Sequence, residues 1–194
     1  MYRFFHKDGE HGHHHHDHDH KEHQSESKQP IIPPKTPLRF EDFLNLFPPV
    51  ELPISISSDT QRMISEVQEP MNAAWMVNFV LDDGEIDEYT EFMPCFSIPN
   101  TDGFYAIVYW QASLEGNAYF IATFNKAGII IDHRLIGGSL YLEDGMTQLV
   151  CTIGADWSIN RIEGKLGAKG EIIKNENPKT TYLQVTLDGE IIEG

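Results

Sequence analysis

This 194-residue chain has only two cysteines, and 14 Lys and Arg against 30 Asp and Glu. It also has no apolar run near the roughly 18 residues of a membrane helix. Each scarcity excludes something. Cys95 and Cys151 form no C-x-x-C pair and no zinc spacing, and both sit among apolar neighbours. They read as reduced, buried thiols. A formal charge of −16 repels phosphate backbones and anionic lipid, so nucleic acid is not an expected partner and a basic protein surface is. Most such acidic surfaces simply keep a protein soluble. The opening Met1-Tyr2-Arg3-Phe4-Phe5-His6-Lys7 lacks the long apolar core of a signal peptide, so a cytoplasmic location is the expectation.

Histidine is abundant but confined. Nine of the ten histidines lie between His6 and His23, in HKDGEHGHHHHDHDHKEH. That stretch contains no aliphatic side chain to bury, so disorder without a ligand is expected. Imidazoles with a pKa near 6.5 are mostly neutral at pH 7 and offer lone pairs to late first-row metals. The candidate ligands are His11, His13, His14, His15, His16, His18, His20 and His23, with Asp17 and Asp19 supplying oxygen. Overlapping three- and four-ligand sets predict exchangeable, poorly selective binding of Zn²⁺, Ni²⁺ or Cu²⁺, with dissociation constants on the order of micromolar, about −8 kcal/mol. No cofactor is required. Two other readings compete. One is an expression tag, although Gly12, Asp17 and Asp19 interrupt the run. The other is a native low-complexity tail that binds metal in a tube and has no metal role in the cell. In composition the segment resembles the histidine-rich stretches of metal transporters and nickel metallochaperones, over about the first 23 residues only.

The prolines from Pro30 to Pro37 suit an extended spacer. The chain therefore divides into a tail and linker, residues 1–36, and a globular α+β domain, residues 37–194. Phe40, Phe43, Leu44 and Phe47 recur at helical spacing before Pro48-Pro49 stops the helix. Ser58 or Asp59 can cap a second helix running to about Gln68, with Met63, Ile64 and Val67 facing inward. Residues 72–81 suit either a helix or a strand. Beyond residue 90 the pattern is β. Phe104 to Trp110 reads as a central strand covered on both faces. Hairpins are expected over 118–136, 148–162 and 181–192, turning at Asn125 to Gly128, Gly154 to Asp156 and Asp188-Gly189, with Gly137-Gly138 ending the first. They are loosely self-similar at about 30 residues, as repeats or any meander would be. The expected fold is an antiparallel β-meander sheet with one to three short N-terminal helices packed on it.

No catalytic constellation stands out, so a non-enzymatic protein is expected. His133 is the one histidine outside the tail. Strand alternation puts Ile129, Ile131, His133 and Leu135 on one face and Asp132 and Arg134 on the other, so Asp132 cannot easily orient the ring. Asp82-Asp83 and Glu143-Asp144 read as turns, and the run Glu85, Asp87, Glu88, Glu91 reads as a solvated loop. Residues 164–170, GKLGAKG, lack the order of a phosphate-binding loop. An uncovered aromatic face among Tyr105, Tyr109, Trp110 and Tyr119 would mark a partner surface. Two functions follow: a metal-binding protein acting through its tail, or an acidic interaction module, of inhibitor or immunity type, for a basic partner.

Overall fold

The computed structural model describes residues 37–57, 59–81, 86–142, 145–167 and 177–194. They form mostly antiparallel sheet with three short helices. The order is α1 (Phe40–Leu44), β1 (Ile54–Ile56), α2 (Thr60–Ser65), α3 (Ala73–Phe79), β2 (Glu91–Ser97), β3 (Tyr105–Ser113), β4 (Gly116–Phe124), β5 (Ile130–Leu142), β6 (Gly145–Ile153), β7 (Ser158–Leu166), β8 (Lys179–Val185) and β9 (Ile191–Glu193). Strands β2 to β9 pair with their sequence neighbours in one meander. None of the described helices is long and apolar enough to cross a membrane.

The helices confirm part of the sequence reading and correct the rest. In α1 the phenylalanine stripe packs as its spacing predicts, with Phe43 and Phe47 buried against the sheet. Within residues 72–81, Ala73–Phe79 form helix α3. Asn72 decides this locally, because its side chain accepts the amide of Ala74 at 2.8 Å and caps the first turn. Trp75 and Phe79 then stack on Phe43. Helix α2 is shorter than expected, and of Met63, Ile64 and Val67 only Ile64 packs on the core. Met63 and Val67 are 64% and 78% exposed, so the inward stripe expected there is not formed. Six residues make fewer than two turns, too few to hold a three-residue stripe against a curved sheet. Ser58 lies outside the described residues. Asp59 occupies the cap position without a side-chain bond.

Strand β6 organises the sheet. Its first half, Gly145 to Leu149, pairs with the end of β5, and its last three residues pair with β1. Over residues 130–137, β5 therefore pairs only with β4. The sheet curls there, so that β2–β4 and β6–β9 bury one shared interior of Trp110, Tyr119, Ile121, Ile136, Ile153, Ile159 and Val185. The opposite face of β2–β4 carries Phe92, Ile107, Tyr109 and Phe124, and α1 and α3 cover it.

Two expectations for β5 fail. The strand does not end at Gly137-Gly138 but runs through to Leu142. The glycines permit close approach rather than a break, since a Cβ on Gly138 would stand 2.2 Å from the carbonyl oxygen of Asn117. The register against β4 also slips twice, between Thr123 and Phe124 and between Tyr119 and Phe120. Each slip inserts a residue, Ile131 and then Ile136. Both isoleucines turn to the interior. Ile131 therefore does not share the face of His133, contrary to strict alternation.

Three turns at the same end of the meander share one hydrogen-bond pattern. Gly128 donates to Asn125 O at 2.9 Å, Trp157 to Gly154 O at 3.0 Å and Gly189 to Thr186 O at 3.0 Å. The amides of Asn125, Gly154 and Thr186 return bonds to Ile129, Ser158 and Glu190. The last residue of each turn is left-handed: φ is 80° at Gly128, 86° at Gly189 and 63° at Trp157. Glycine takes this conformation freely, whereas a side chain costs about 1–2 kcal/mol. Tryptophan thus stands where the two sister turns use glycine.

Candidate functional site

The tail ligands expected from sequence, His11, His13, His14, His15, His16, Asp17, His18, Asp19, His20 and His23, lie outside the described residues. So do Asp82-Asp83, Glu85, Glu143-Asp144 and residues 168–170. Among the described residues no group of three or more His, Cys, Asp and Glu is placed to hold a metal ion.

His133 sits on β5 at the border of the helical layer. Its Nε2 is 2.7 Å from the hydroxyl of Tyr109, and its ring stacks on Phe120 at 4.9 Å and on Tyr109 at 5.8 Å. Tyr109 is fully buried, so this hydroxyl and imidazole satisfy each other inside a packed aromatic stack. Asp132 faces the interior. One of its oxygens accepts the amide of His133 at 2.8 Å and pairs with Arg134 at 3.1 Å, and the other accepts the amide of Ile191 at 2.9 Å. Thr123 Oγ1, beside it on β4, donates to Gly189 O at 2.6 Å. Arg161 Nη1 donates to Leu135 O at 2.9 Å on the same open stretch of β5. Asp132, Thr123 and Arg161 therefore do with side chains what a partner strand would do with backbone.

The aromatic face considered from sequence is covered. Tyr109, Trp110 and Tyr119 are buried. The Nζ of Lys126 lies 3.9 Å above the ring of Tyr105, which Phe40 also meets. Cys95 and Cys151 are free and buried. Burial pushes the Cys151 thiol up to about 12 and the Cys95 thiol higher still. The Tyr119 phenol also rises, through burial first and then the nearby Cys95. Such thiols stay protonated and unreactive near neutral pH.

Sequence reasoning missed a cleft of about 380 Å³ at the end of the meander that carries the three sister turns. It is lined by Ala155, Asp156, Trp157, Gln184, Val185, Thr186 and Leu187. The indole of Trp157 meets Phe104 edge-on at 5.3 Å, and Leu187 is 79% exposed. The hydroxyl of Ser158 donates to Asp156 at 2.6 Å and its amide at 3.1 Å, which holds that carboxyl below the usual carboxylate range. Gln184 Nε2 donates to Asp156 O at 2.9 Å and joins the two walls. The available signal was the parallel between residues 154–157 (GADW) and the sister turns 125–128 (NKAG) and 186–189 (TLDG).

Comparison with protein families, curated proteins and solved structures finds no match.

Proposed function

We propose that this chain is a non-enzymatic protein that binds divalent transition metals through its histidine-rich tail, with the folded domain as its soluble carrier. One observation carries the reading: nine histidines fall between His6 and His23, with Asp17 and Asp19 among them. The overlapping ligand sets of this sequence favour rapid exchange of Zn²⁺, Ni²⁺ or Cu²⁺ over one rigid site. That behaviour suits buffering or delivery of metal in the cytoplasm better than catalysis. Calorimetric titration of the full chain with Zn²⁺ and Ni²⁺ at pH 7.5 tests it. Micromolar binding is expected, and replacing the nine tail histidines by alanine removes it. Undiminished binding by that variant overturns the reading.

The second reading is an acidic interaction module for a basic partner. The cleft beside Trp157 favours it, because the exposed Leu187 and a fixed carboxylate, Asp156, both line it.

A further inference from the structure

We propose that the cleft between residues 155–157 and 184–187 binds a basic peptide segment of a partner protein, seating an arginine or lysine side chain between the indole of Trp157 and the carboxylate of Asp156. The proposal deepens the second reading above and rests on it.

Three observations converge on this cleft. Its position in the fold gives an internal comparison. The sister turns close with Gly128 and Gly189, so the backbone there needs no side chain. Trp157 holds the same left-handed conformation and lines the cleft. The residue packs on the interior cluster, with its indole edge-on to Phe104, and also lines the open cleft.

The opposite wall carries one uncovered apolar side chain. Leu187 is 79% exposed in a turn that could carry any polar residue. Trp157 and the exposed Leu187 both line the cleft, and their apolar groups can flank the methylene stem of a long side chain.

Charge selects the occupant. Asp156 is fixed by its two bonds from Ser158. Asp188 and Glu190 follow Leu187, and neither 154–158 nor 184–190 contains a lysine or arginine. Anionic ligands are repelled there, within a chain of formal charge −16. A cation over an indole face beside a carboxylate gains from both.

The test is an NMR titration of the full ¹⁵N-labelled chain with a blocked tetra-arginine peptide, at low and at physiological salt. The expected result is saturable shifts confined to the Trp157 indole N–H and to amides of 155–158 and 184–187. Trp157→Gly, which restores the glycine of the sister turns, and Asp156→Asn, which removes the charge, should each weaken binding at least tenfold while the remaining spectrum stays folded. Shifts spread over other acidic surfaces and insensitive to both variants overturn the cleft assignment but leave the acidic-module reading standing. Absence of any binding at low salt overturns both. A neutral trisaccharide that moves the same resonances when the peptide does not also overturns the proposal, in favour of a carbohydrate site.

Discussion

Asp132 accepts the backbone amide of Ile191 at 2.9 Å, and through that bond the last strand is held to the open stretch of β5. The same carboxylate receives the amide of His133 and pairs with Arg134, so one side chain serves two strands. Asp132→Ala leaves two backbone donors without their acceptor. Its expected cost is about 1–3 kcal/mol, the penalty for an unsatisfied, largely buried donor. Urea unfolding checks this as a lower midpoint at unchanged slope. A loss below about 0.5 kcal/mol, the range of a neutral surface change, would show that the bond does not hold the sheet closed.

The buried thiols give a pH dependence with a definite sign. In the unfolded chain both thiols ionise near their ordinary value of about 9, whereas in the fold Cys151 rises to about 12 and Cys95 beyond it. Below pH 9 both states are protonated and the thiols leave stability unchanged. From pH 9 to 12 the unfolded state loses protons that the fold keeps, so stability falls as pH rises. Denaturation midpoints of the wild type and of a Cys95→Ala, Cys151→Ala chain should converge on alkalinisation across that window. Parallel curves would contradict the burial of these sulfurs.

Much of the sheet was legible in the sequence, because period-two patterning and turn residues act locally. The turns at Asn125 to Gly128 and at Asp188-Gly189 fall where their dipeptides place them. Long-range geometry was not legible. Gly137-Gly138 reads as a stop until Asn117 is known to lie against it. The inserted Ile131 and Ile136 break an alternation that sequence reading must assume, and only the register with β4 reveals them. The hydroxyl of Tyr109 and the ring of His133 meet across two strands, 24 positions apart in sequence. Trp157 was visible as a residue, but its left-handed backbone, which sets it apart from Gly128 and Gly189, was not.

The most direct test of the metal reading is a histidine-resolved NMR titration of the full chain with Zn²⁺ at pH 7.5, because it separates His133 from the nine tail imidazoles. The nine tail rings are expected to shift together at micromolar free zinc, while His133, stacked on Phe120 and bonded to Tyr109, does not move. Lowering the pH to about 5.5 should release the metal, since protonated imidazole cannot ligate. The contrary result, in which His133 and its neighbours shift while the tail rings stay fixed, would place metal binding in the folded domain and contradict the account.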